Sequence, residues 1–109
     1  MKTIAVDFDG VLHRYSRGWQ NGEIYDPPVE GAVESFFKLI DAGFDIVVFT
    51  TRKDVEAVRL WMHTHFDFEK RMGNFYEPKI TNEKPLAIAY VDDRAIRFTN
   101  WNDIIKYFA

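Results

Sequence analysis

Ile4-Ala5-Val6-Asp7-Phe8-Asp9-Gly10-Val11 is an apolar run that carries two carboxylates, two residues apart, into a glycine turn. Continuous apolar runs form strands buried on both faces of a parallel sheet, and ligands of open α/β sheets bind at the carboxyl ends of such strands. Two negative charges held there repel one another and lose hydration, a cost that a cation or a proton must offset. An aspartate pair after a strand also makes turns. Metal-assisted chemistry is the sharper of the two readings.

Outward from this segment, residues 2–7 read as a buried strand. Residues 10–28 hold Gly10, Gly18, Gly22, Pro27 and Pro28, with Tyr15, Trp19 and Tyr25 among polar residues, and read as a loop or short hairpin over the strand end. Residues 29–42 have helical spacing, with Val29, Val33, Phe36, Phe37 and Ile40 as an apolar stripe. Pro28 suits the start of that helix and Gly43 its stop. Residues 44–50 are a second apolar strand. Residues 54–65 are a second helix, packed through Val55, Val58, Leu60, Trp61 and Met62. Residues 75–81 contain a short strand interrupted at Pro78. Residues 87–91 form another buried strand, ending in Asp92-Asp93, and residues 101–108 a last helix begun by Asn100 or Asn102. Strands alternating with helices predict an α/β, Rossmann-like fold: a central parallel sheet with helices on both faces, three layers in all.

The 109 residues make one domain, with no internal repeat or linker. Apolar residues are 47% of the chain, which excludes a disordered polymer. The net charge is −3 with no basic stripe, which weighs against nucleic acid as the partner. The absence of cysteine excludes disulfides, thiolate nucleophiles and thiolate zinc sites. No apolar run reaches the roughly 20 residues that span a bilayer, so no membrane partner is expected. The chain enters a strand at once rather than through a signal peptide, and the cytoplasm is the expected compartment.

Three apolar strands end in polar clusters: Asp7-Phe8-Asp9, Thr50-Thr51-Arg52 and Asp92-Asp93. Parallel strands bring these ends to one edge. Lys84 precedes the last strand and reaches that edge through a loop. Carboxylates, a hydroxyl and an ammonium compose a phosphate and Mg²⁺ site, since Mg²⁺ takes oxygen ligands. His63 and His65, two apart on a helix, do not share a face and read as no metal site. His13 reads as a solvated loop histidine, Arg94 as structural, and Arg52 as a partner of a site carboxylate, of substrate, or of an ordinary ion pair. Trp19, Tyr15 and Tyr25 either stack on a base or sugar or pack on the loop itself.

The ordered set Asp7-Phe8-Asp9-Gly10-Val11, Thr50, Lys84 and Asp92-Asp93 resembles the haloacid dehalogenase superfamily of phosphohydrolases. The resemblance runs from Ile4 to about Phe98, and departs at Val11, where many members have threonine. It implies a HAD-like fold and hydrolysis of a phosphate monoester. Asp7 would be the nucleophile that forms an aspartyl-phosphate, and Asp9 the acid and then the base. Thr50 would hold a phosphate oxygen and Lys84 would offset charge. Asp7, Asp9 (through its carbonyl), Asp92 and Asp93 would hold Mg²⁺. Neither gap between the motifs has room for a cap domain, so the resemblance implies a capless member with an open site, which the aromatic loop 10–28 covers in part. The implied substrate is a phosphorylated small molecule or macromolecular end. A nucleotide or polynucleotide-end phosphatase and a non-catalytic phosphate-binding domain are the alternatives.

Overall fold

Five short strands line up in the order β3-β2-β1-β4-β5, and every described neighbouring pair is parallel. They are β1 (Lys2–Asp7), β2 (Phe44–Phe49), β3 (Lys79–Thr81), β4 (Ala89–Asp92) and β5 (Ile96–Arg97). The helices are α1 (Ala32–Asp41), α2 (Val55–Phe66), α3 (Phe68–Met72) and α4 (Trp101–Phe108). The computed structural model describes residues 2–73, 76–92 and 96–108. No described helix is long and apolar enough to cross a membrane. The chain is thus an α/β protein with an all-parallel, Rossmann-like sheet flanked by helices.

The register sorts side chains by face. Ile4 lies opposite Ile46, and Val6 lies between Val48 and Val91. Val48 in turn lies opposite Ile80. These residues alternate with outward neighbours at the two-residue period of a strand and so share one face. On that face they form one apolar cluster with Phe36 and Phe37 of α1, Trp61, Met62 and Phe66 of α2, Phe68 of α3, and Trp101 and Ile104 of α4. Phe36 is fully buried, with the rings of Phe37, Phe66 and Phe68 at 5.4, 5.2 and 5.9 Å. Phe36→Ala is expected to cost about 3–5 kcal/mol, the usual loss for an emptied aromatic site. Urea denaturation checks this, and a loss below about 1 kcal/mol would place Phe36 outside the core.

The opposite face corrects the expectation of three layers. Ala5 and Val47 point that way and are buried, yet lie outside the cluster that holds the helices. Residues 82–88, which join β3 to β4, contain no helix. Geometry explains why. The connection must pass two strands, three spacings of about 4.8 Å, and drop from the level of Asp7 to that of Ile4. That diagonal is roughly 17 Å, within the ~24 Å reach of seven extended residues but beyond the ~10 Å of a seven-residue helix. Right-handed crossover sends the segment over the face that α1 and α2 leave open. The Ile88 N–H donates to Thr3 O at 2.9 Å, and the Tyr90 hydroxyl donates to Pro85 O. An extended strap therefore stands where a helical layer was expected.

Other boundaries differ from the periodic pattern. Helix α1 begins at Ala32 rather than at residue 29, because Pro28 bridges His13, the Val29 N–H donates to Leu12 O, and Gly31 turns the chain at φ 81°. Helix α2 starts where Asp54 caps it, accepting from the Ala57 N–H at 3.0 Å. Leu60 is 67% exposed and does not pack. Of the two candidate starts for α4, Asn100 is the cap, accepting from the Asp103 N–H at 2.9 Å. Strand β4 begins at Ala89 rather than at residue 87. Helix α3 and strand β5 were not expected at all. The start of the expected strand at Phe75 lies outside the described residues, and Pro78 precedes β3 rather than interrupting it.

Candidate active site

Asp7 ends β1 and Asp92 ends β4, each one step beyond the paired Val6 and Val91. The pleat turns both toward the face that the strap crosses. Asp7 Oδ1 accepts from the Phe8 N–H at 3.1 Å. Thr50 follows β2 directly and is 1% exposed. Its N–H donates to Thr81 O at 3.0 Å, and the Phe8 N–H also lies 2.9 Å from Phe49 O, which keeps the three strand ends level. Thr50 Oγ1 accepts from the Arg52 N–H at 3.1 Å, leaving its own proton to donate. Lys84 rides on the strap, its ammonium 4.7 Å from the centre of the Tyr90 ring. Tyr90 faces the same side as Asp92, so Lys84 lies on the Asp7 side of the sheet. Asp93 and Arg94 lie outside the described residues. Thr51 is exposed.

Asp9 has a different neighbourhood. Gly10, at φ 85°, swings the chain away from β1, a conformation that favours glycine. Arg52 then grips the Asp9 carboxylate with two bonds, Nε to Oδ2 at 2.8 Å and Nη2 to Oδ1 at 3.1 Å. Its remaining Nη1 donates to Gly22 O at 3.0 Å, in the loop 10–28. His13 is fully buried rather than solvated, which corrects its expected place. Phe8, Tyr15, Tyr25 and Trp61 surround its ring. His13 Nδ1 lies 2.8 Å from Asp9 Oδ1, while Nε2 accepts from the Asp26 N–H at 3.1 Å. These partners put the ring proton on Nδ1, where it is donated to Asp9. The loop is thus tied to Asp9 twice, through Arg52 and through His13. Trp61 Nε1 adds a bond from α2 to Asp26 O at 3.0 Å.

The ties of the loop respond to acid at Asp26. Ser16, through its hydroxyl and its backbone N–H, holds the Asp26 carboxyl below its ordinary value of 3.8 against the opposing effect of burial, with His13 and Arg14 helping. A depressed carboxyl stabilises the folded loop fully above its ordinary pKa, and the contribution is lost as pH falls through the lower folded value. Protection of the Ser16 amide proton against exchange, relative to its intrinsic rate, is therefore expected to fall below about pH 4. Asp26→Asn removes that acid step, and an unchanged profile in the variant would dismiss the assignment.

The other histidines take structural partners. His63 pairs with Glu77 at 2.7 Å, which holds that carboxyl below its usual range despite partial burial, with Arg59 contributing. His65 stacks on Trp61, and burial, with His13 nearby, lowers its pKa.

Among the described residues, no three acidic or histidine side chains gather into a metal centre. The Asp9 carboxylate is turned to Arg52 and His13, and Asp93 is not described. The remaining donors, the Asp7 and Asp92 carboxylates on adjacent strands, are hard oxygen ligands without sulfur or imidazole, and their chemistry fits Mg²⁺.

A cavity of about 440 Å³ opens beside Asp9, lined by Tyr15, Trp19, Gly22, Thr51, Arg52, Lys53, Asp54 and Ala57. A larger one, about 670 Å³, lies at the starts of α1 and α4 and touches none of these polar groups. The pattern of apolar runs places Asp7, Asp9, Thr50 and Asp92 at one end of the sheet but gives no sign of the buried role of His13. A lone histidine in a loop carries no periodic signal. No known family model, curated protein or solved structure matches the chain significantly.

Proposed function

We propose that this chain is a Mg²⁺-dependent phosphatase with a capless HAD-like fold, hydrolysing a phosphate monoester through an aspartyl-phosphate on Asp7. The observation that carries the reading is the common edge of β1, β2 and β4, with Asp7, Thr50 and Asp92 at their ends and Lys84 strapped over the Asp7 face. An Asp7 oxygen attacks phosphorus as the bond to the leaving oxygen breaks. Thr50 donates its hydroxyl proton to a phosphoryl oxygen, and Lys84 offsets the charge that gathers there. Asp9 gives a proton to the leaving oxygen, then takes one from the water that attacks phosphorus and frees Asp7. The acid role asks Asp9 to exchange one bond to Arg52 or His13 for a proton. Asp7 and Asp92, with the Asp9 carbonyl and Asp93, would hold Mg²⁺, which when bound supplies positive charge to two mutually repelling anions.

Hydrolysis of an aryl phosphate by the full chain, with Mg²⁺ and then with excess chelator, tests the reading. Turnover that needs the metal is the expected result. Absence of turnover toward aryl, sugar and nucleotide phosphates alike would leave the phosphatase reading without support.

A further inference from the structure

We infer that the cavity beside Asp9 is the leaving-group site, and that it takes a phosphate monoester whose leaving group carries a planar, uncharged aromatic or heteroaromatic ring, stacked on Trp19. The inference rests on the phosphatase reading, because it places the leaving oxygen at Asp9. The group attached to that oxygen must then lie on the Asp9 side, and this cavity has Asp9 in its wall.

The chemistry of the wall selects the class. Trp19 is 60% exposed, which leaves part of its indole open to a ligand in the cavity. It is nevertheless held in place. The Arg52 guanidinium lies 4.9 Å from its ring centre, and Gly22 lies beside it, where an added Cβ would be in ordinary van der Waals contact with Cη2 at 3.7 Å. Arg52 itself cannot wander, being bound to Asp9 and to Gly22 O. An indole backed by a fixed cation is a preorganised stacking platform. Ala57 and the Tyr15 ring extend the apolar surface. The charges in the wall cancel formally, Arg52 and Lys53 against Asp9 and Asp54, which favours a neutral ring over a second anion. The volume, about 440 Å³, falls in the range of small-molecule sites and admits a nucleoside or a substituted phenol.

The test uses the full chain carrying Asp7→Asn, with Mg²⁺ present, so that ligands bind without turning over. Calorimetry compares adenosine 5′-monophosphate, phenyl phosphate and ribose 5-phosphate. At least one ring-bearing ligand is expected to bind about ten-fold or more tighter than ribose 5-phosphate, the usual scale of one stacking contact. Preference for the nucleotide identifies a nucleoside as the source of the ring, and preference for phenyl phosphate a simple arene. Adding Trp19→Ala removes the preference, while Trp19→Phe keeps most of it. Equal binding of all three ligands, no binding of either ring compound, or a preference that survives Trp19→Ala overturns the site. The two readings fail separately. A Trp19-dependent ring preference with no hydrolysis by the unmodified chain sinks the phosphatase and leaves the cavity a ring-binding site with no leaving group to hold. Metal-dependent hydrolysis without ring preference spares the phosphatase and sinks the ring site.

Discussion

Asp7→Asn is expected to reduce turnover of every phosphate monoester by about 10⁴-fold or more, the scale seen when a covalent nucleophile is lost. The substitution keeps the shape of the side chain and its ability to accept from the Phe8 N–H, but not its negative charge or nucleophilicity. No neighbour can replace it. The last residue of β4, Asp92, belongs to the proposed metal set, and the Asp9 carboxylate is engaged by Arg52 and His13. Thermal unfolding separates chemistry from folding, because Asp7 sits at a strand end rather than in the apolar cluster. The variant should melt within a few degrees of the parent, the ordinary range for a substitution away from the core. A complementary readout is trapping of the acyl phosphate. With an aryl phosphate, whose leaving oxygen needs little help from an acid, Asp9→Asn should slow breakdown of the intermediate more than its formation, so label from that donor would be recovered on Asp7. An Asp7→Asn protein that keeps more than about a hundredth of the parent rate would remove the nucleophile from the scheme.

The parts of the molecule that were readable beforehand are those governed by local rules. The run Ile4–Val6 followed by Asp7 announces a buried strand with a polar end, and the register with Ile46, Val48 and Val91 bears this out. Asp54 before an apolar-periodic segment announces α2. What was not readable depends on distance or on length. Helix α3 has only five residues and begins after Asp67, which sits at φ 48°, a left-handed turn that periodicity cannot see. The missing helical layer follows from the span between β3 and β4, which is known only once the strand order is known. The sequence offers Arg52 a site carboxylate as a partner, but which carboxylate it takes depends on a pairing of residues 43 apart in the chain. His13 gains its role because the bridges to Asp9 and Pro28 fold the loop back on itself. The strand-end positions of Asp7 and Asp92 and the nearness of Arg52 to a carboxylate follow from the pattern, while the burial of His13 against Asp9 does not.

Arg52→Met is the second large effect, and it reads on stability rather than on chemistry. The Arg52 side chain is 5% exposed and that of Asp9 20%, so the pair is largely withdrawn from water. Removing one member of a buried pair strands the other, at about 3–5 kcal/mol. Asp9 retains His13 and some solvent, which places the expected loss near the lower end, about 3 kcal/mol, or on the order of 15 °C in Tm for a domain of this size. Methionine preserves most of the volume between Phe8, Tyr15 and Trp19, so the loss reports the ion pair more than the packing. The effect should also be local. The bond to Gly22 O disappears with the guanidinium, and amide exchange in residues 10–28 should quicken more than exchange in β1 or β2. Combining Arg52→Met with Asp9→Asn supplies the decisive comparison. If the two groups stabilise one another, the double variant loses less than the sum of the single losses, by 1 kcal/mol or more. Strict additivity, with exchange in the loop unaltered, would mean that Arg52 fills space beside the site without anchoring the loop to it.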